Sequence, residues 1–243
     1  GLASPKAFNQ IITKDYADVL PNRQCSSWIQ KAFLLVQSLG QSTSGRNILS
    51  QRFSLCSPLK TQNDAYQLNS FLYNSIAYLA MLDYPYETDF LQPLPAWPVN
   101  ASCHAMKNIM DHSGDQETSL LLALASVPNV YYNTSGTLRC FNLTSGDSPG
   151  LGLGSWFYQA CTEMILVVGQ YGGDSDMFLY APWDLKAYTK MCQDNFGVTP
   201  RPYWNIQHYG IDNLQYASNI VFSNGDLDPW TAGGVLKSPS DSI

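Results

Sequence analysis

The sequence predicts an α/β protein, a mostly helical block joined to the last part of an α/β domain, and three observations lead there. Apolar residues recur at three- and four-residue spacing through most of the first 130 residues. From residue 131 onward the pattern turns to Gly-, Asn- and Ser-rich stretches, then to an aromatic and aliphatic run and one further helix. Finally, NIVFSNGDLDPWTAGG, residues 219–234, reads as a short buried strand, Ile220-Val221-Phe222, entering a polar turn at Asn224-Gly225. The predicted division is a helical cap over 1–130 and an incomplete α/β part over 131–243.

Within the first block, Ile12, Tyr16, Val19 and Leu20 mark one helix, and Trp28, Ala32, Leu35, Val36 and Leu39 a second, with Pro21-Asn22 between them and Gly40 at the end. QSTSGRN, residues 41–47, is read as a loop. Residues 61–82 form a strong helix, with Thr61 as its cap and Leu68, Leu72, Ile76, Leu79 and Ala80 on one face. The four prolines of DYPYETDFLQPLPAWP, residues 83–98, impose an extended path. Helices over 103–110 and 119–126 complete the block. In the second part, residues 156–168 are read as a core run, and residues 184–196 as a helix stopped by Gly197. TPRPYW, beginning at Thr199, is a loop leading to the final strand.

A chain of 243 residues that is 45% hydrophobic can bury a sizeable core. Charged residues are only 13%, the net charge is −6 and no basic stripe occurs, which argues against a nucleic-acid partner. No apolar stretch approaches the ~20 residues of a membrane-spanning helix. The six cysteines, Cys25, Cys56, Cys103, Cys140, Cys161 and Cys192, are even in number and widely spaced, unlike a metal site. With sequons at Asn100, Asn133 and Asn142, they point to the secretory route. Gly1 is not an initiator methionine, so the chain reads as a piece of something longer.

Loops beyond the carboxyl ends of strands carry the chemistry in open α/β sheets, which places Asp228 where a catalytic acid sits. The alternative is a turn in which Asp226 or Asp228 only caps backbone N–H groups. A triad in the order Ser, Asp, His needs a serine before Asp228 and a histidine after it. The G-x-S-x-G pattern around Ser148 is unsuitable: no strand precedes it, and Pro149 has no N–H to offer an oxyanion. LVVGQYGG, residues 166–173, has an elbow-like shape but puts Gln170 or Tyr171 where a nucleophile belongs. His104, His112 and His208 all precede Asp228, so the nucleophile and base are not found in the sequence.

The run N-G-x-L-D-P-W followed by T-A-G-G, with YQACTE at 158–163, LCSPL at 55–59, MLDYPYETDFLQPLPAWP at 81–98 and GVTPRPYW at 197–204, resembles the lysosomal Pro-X carboxypeptidase and dipeptidyl peptidase II family of serine peptidases, the carboxypeptidase branch more closely. The resemblance implies a partial α/β-hydrolase domain with a mostly helical cap inserted in it. It implies a proline-specific serine exopeptidase that releases a C-terminal residue after proline and is inactive without its serine and histidine. Asp228 takes the role of triad acid, Trp230 walls the proline pocket, and Leu166 replaces a pocket methionine. Gln159, Thr162 and Glu163 line the cleft. The same resemblance pairs Cys25 with Cys103, Cys56 with Cys140 and Cys161 with Cys192, while two further family cysteines are absent at Ala7 and Gly169. It calls for no cofactor and no metal, a peptide substrate with penultimate proline, and a lysosomal or secreted location, and it leaves a homodimer open. A dipeptidyl peptidase II-like aminodipeptidase, with a carboxylate such as Glu163 or Asp174 holding the substrate amine, and a non-catalytic secreted binding protein are the alternatives.

Overall fold

The structure is a computed structural model and describes residues 4–89, 93–112, 114–143 and 153–243. Its centre is a bundle of amphipathic helices: α1 (Ala7–Val19), α2 (Gln24–Gly40), α3 (Thr43–Arg52), α4 (Gln62–Met81), α5 (Pro98–His112) and α6 (Gln116–Tyr132). Phe8, Ile12 and Tyr16 of α1 meet Ile29, Phe33 and Val36 of α2 and the expected stripe of α4 in one buried core. Thr61 caps α4 through a reciprocal capping box with Asp64. A single-turn 3-10 helix, Pro21–Arg23, makes the corner between α1 and α2.

Within the helical block several elements differ from expectation, for local as well as tertiary reasons. The polar run at 41–47 is mostly helix, not loop: the Ser42 hydroxyl accepts the Gly45 N–H, Arg46 donates to the Gly40 carbonyl, and Leu49 is fully buried. A Cβ on Gly45 would lie 2.1 Å from the Leu39 carbonyl oxygen, so only glycine fits there. α5 starts at Pro98, which supplies the preset φ of a first helical residue. α6 runs through Pro128 to Tyr132. A proline inside a helix costs about 3 kcal/mol, offset here because Val127, Pro128 and Tyr131 are buried together. The expected division at residue 130 therefore falls inside a helix.

Beyond α6, the chain docks Phe141 on Phe71. Later come α7 (Leu153–Thr162), α8 (Leu185–Phe196) and α9 (Trp204–Tyr209). Asp184 caps α8, and Gly197 ends it in the left-handed region. The expected core run begins instead as an exposed helix: Trp156, Phe157 and Tyr158 of α7 are open to solvent. TPRPYW leads into α9 rather than into a strand.

No β-strand forms among the described residues, only isolated bridges such as Gln170 with Ala181. Residues 220–222 are extended and unpaired, and Val221 is 93% exposed. A strand needs a neighbour for its N–H and C=O groups, and among the described residues no bridge pairs this segment with another. Three disulfides staple the molecule: Cys25–Cys103 between α2 and α5, Cys56–Cys140 between the exit of α3 and the segment after α6, and Cys161–Cys192 between α7 and α8.

Candidate active-site turn

The turn around Asp228 is fixed by its own polar groups. The Asp228 N–H donates to the Gly225 carbonyl at 3.2 Å, and the Thr231 hydroxyl donates to the same oxygen at 2.6 Å. The Asn224 amide donates to the Val235 carbonyl, closing the far side. Pro229 is buried at the first position of a 3-10 turn, Pro229–Gly233. Asp228 caps that turn, its Oδ1 accepting the Trp230 N–H at 2.9 Å. The described hydrogen bonds leave Oδ2 out. Asp228 is half-buried, whereas Asp226 is exposed.

Trp230 is seated against the helical bundle. Its ring meets Phe8 of α1 edge-on, centroids 4.7 Å apart, and its Nε1–H donates to Met81 Sδ at the end of α4 at 2.9 Å. The indole remains 41% exposed, so one side is open.

The other predicted pocket residues lie on a different part of the chain. Gln159 and Glu163 are exposed, and the Thr162 hydroxyl bonds back to the Tyr158 carbonyl, the usual use of a helical threonine. Leu166 is half-buried in the extended exit from α7. The described hydrogen bonds and ring contacts join none of the four to Asp228 or Trp230. Asp174 lines a polar cleft of about 400 Å³ with Lys14, Arg23 and Gln30. His104 and His112 are exposed on α5, and His208 stacks on Trp204 at 4.5 Å. Ser148 lies outside the described residues.

The elbow-like LVVGQYGG run has a structural explanation. The Asp176 carboxylate accepts the N–H groups of Tyr171, Gly172 and Phe178, wrapping the loop around one buried acid. Thr13 and Gln30 then tie it to α1 and α2. The sites of the two absent cysteines are neighbours here: Gly169 donates its N–H to Pro5 and accepts from the Asn9 amide, one contact on each side of Ala7. Of the sequons, Asn100 is exposed on the first turn of α5, a helical rather than turn setting, and Asn142 is exposed. Asn133 is half-buried and hydrogen-bonded to Asn129 and Leu138.

Sequence reasoning missed Asp15. It sits on α1 within the stripe of Phe8, Ile12 and Tyr16, is only 4% exposed, and neither carboxyl oxygen has a hydrogen-bond partner. Burial raises its pKa to about 7, opposed by Lys14 and reinforced by Asp83, Asp18 and Asp228. Asp83, just past α4, accepts the Val99 N–H at 3.0 Å, and burial raises its pKa as well. A carboxyl inside an apolar helical stripe was the signal.

Among the described residues no His, Cys, Asp and Glu cluster is built to hold a metal ion, and no helix is long and apolar enough to cross a membrane.

The chain matches the serine carboxypeptidase S28 family over residues 4–243. It is 39% identical to the lysosomal Pro-X carboxypeptidase of Bos taurus over 236 residues, 97% of this chain and 46% of that protein. It is also 39% identical to the Mus musculus protein of the same name over 243 residues, 100% of this chain and 48% of that one. Prolyl carboxy peptidase like protein 5 of Caenorhabditis elegans is 34% identical over 241 residues, 93% of this chain and 46% of that protein. The chain thus spans about half the length of the curated relatives it matches. With the family match running from Ser4 to the last residue and the N-G-x-L-D-P-W turn inside it, this chain belongs to the serine carboxypeptidase S28 family of serine-type hydrolases, whose fold is of the α/β-hydrolase type.

Proposed function

We propose that this chain is part of a proline-specific serine exopeptidase that releases the residue following a proline, and that it supplies the triad acid and one wall of the proline pocket. One observation carries the reading: Asp228 sits on a turn closed on both sides, with Oδ1 engaged by the Trp230 N–H and Oδ2 left for a further donor. In the full-length enzyme that donor is the Nδ1–H of a histidine beyond Asp228. A serine upstream attacks the prolyl carbonyl, the histidine takes its proton, and Asp228 holds the tautomer and stabilises the imidazolium. The exposed side of the Trp230 indole packs on the flat pyrrolidine ring. The helical block is the cap, and Leu166, Gln159, Thr162 and Glu163 complete the cleft when the sheet is in place. The exposed segment at 220–222, which becomes a strand when the sheet is in place, and the open aromatic face of α7 are the surfaces that the rest of the hydrolase domain covers.

The three disulfides and the exposed sequons suit an oxidising route to the lysosome or the exterior, as in the lysosomal relatives. The test is hydrolysis by the full-length protein of an N-blocked peptide ending in Pro-Phe, beside a free-amine X-Pro arylamide. Release of phenylalanine from the first supports the proposal. Cleavage of only the second assigns an aminodipeptidase, and cleavage of neither assigns a binding protein.

A further inference from the structure

The turn capped by Asp228 packs on the helix that carries Asp15, and the two carboxyls act on each other electrostatically. Asp15 projects from α1, the helix that also presents Phe8 to Trp230, and Asp228 caps the 3-10 turn that packs on α1 and α4. Asp83, in the segment past α4, also acts on Asp15. A carboxylate that is 96% hidden would ordinarily be paired or bonded to several donors. Asp15 has neither: both of its oxygens lack a partner, and its helix neighbour Lys14 is paired with Asp18 on the exposed side.

We propose that Asp15 is a positioning residue of the Asp228 site, a buried carboxyl behind the turn whose charge, when present, acts on the catalytic base through Asp228. This rests on the reading of Asp228 as the triad acid. The charged groups that act on Asp15 are Lys14 and Asp18 of its own helix, Asp83 and Asp228, three anions against one cation. Beside it Tyr16 is a buried phenol held uncharged. Under acid conditions Asp15 carries its proton, and Asp228 is the nearer anion the histidine meets. The histidine then meets one anion fewer, so its proton affinity is lower than with Asp15 charged and it releases its proton more readily to serve as a base. Above neutrality Asp15 ionises without a compensating hydrogen bond. The added charge holds the histidine as imidazolium and repels the free carboxylate of a C-terminal substrate, so turnover declines as the pH rises.

Two measurements on the full-length protein test this independently. The first is the pH profile of kcat/KM on the N-blocked Pro-Phe peptide for wild type and Asp15→Asn. The variant is expected to keep roughly threefold more of its optimum activity than wild type at about pH 8, because a neutral amide cannot ionise. Superposable falling limbs would overturn the proposal, as would a uniform loss at every pH, which is the mark of a merely structural role. The second follows the side-chain carboxyl resonance of Asp15 by NMR in aspartate-labelled protein, assigned with Asp15→Asn. Wild type is expected to titrate near neutrality, and Asp228→Asn is expected to lower the midpoint by removing a neighbouring negative charge. A midpoint in the ordinary carboxylate range, or one unmoved by Asp228→Asn, overturns the proposal. If no proline peptide is cleaved at all, the functional reading fails, and the NMR titration still decides whether Asp15 and Asp228 are coupled.

Discussion

Trp230 donates its indole N–H to the sulfur of Met81 at 2.9 Å, which ties the candidate proline-pocket wall to the last residue of α4. With Phe8 against the ring edge, the indole has one orientation and one open side. Met81→Leu keeps a similar volume and removes the acceptor. In the full-length enzyme it should raise KM for prolyl substrates several-fold with little change in kcat, and shift Tm by less than the equivalent of ~1 kcal/mol. Trp230→Ala should instead reduce discrimination between proline and alanine before the scissile bond. Steady-state kinetics on the two peptides separates these outcomes.

Asp228→Asn should lower kcat of the full-length enzyme by roughly four orders of magnitude with the fold intact, because the histidine would be held in the wrong tautomer. Asp226→Asn should have little effect, since Asp226 is exposed and outside the hydrogen bonds that close the turn. Circular dichroism checks the fold of both variants. Substantial activity in Asp228→Asn together with its loss in Asp226→Asn would reverse the assignment.

The elevated pKa of Asp15 also makes stability depend on pH. Its folded value of about 7 lies above the unfolded value, so the native state binds the proton more tightly. The contribution is fully present below about pH 4 and is lost as the pH rises toward 7, a change on the order of a few kcal/mol. Thermal melts of this chain should therefore show Asp15→Asn gaining on wild type between about pH 4.5 and about pH 7.5. A constant Tm difference across that range would contradict the shift.

Gly169 touches the Trp183 backbone so closely that a Cβ would lie 2.5 Å from the Trp183 nitrogen. Gly169→Ala should destabilise the chain by about 1–3 kcal/mol, the range for overpacking a filled site. The Ala7→Cys, Gly169→Cys pair should not deliver the ~3–4 kcal/mol of an unstrained disulfide closing a long loop, although the two segments are adjacent. Urea unfolding under oxidising and reducing conditions measures both effects.

The sequence by itself determined the features set by local chemistry. Spacing of apolar residues located α1, α2, α4 and α8, and Thr61, Asp184 and Gly197 marked their ends because caps act within one turn. Motif composition led to the S28 family and put Asp228 forward as the candidate acid. Tertiary structure decided what depends on distant partners. Residues 41–47 became helix because Arg46 could reach the end of α2 and Leu49 could be buried, and α6 ran through Pro128 because the core accepted it. The apolar run at 220–222 did not become a strand, since β-structure needs a neighbouring backbone, and periodicity cannot say whether one is present. The Asp15 carboxyl shows the same division: its place in an apolar stripe is written in the sequence. The influence of Asp83 and Asp228 on it, residues far along the chain, comes only from packing α1 against α4 and the final turn.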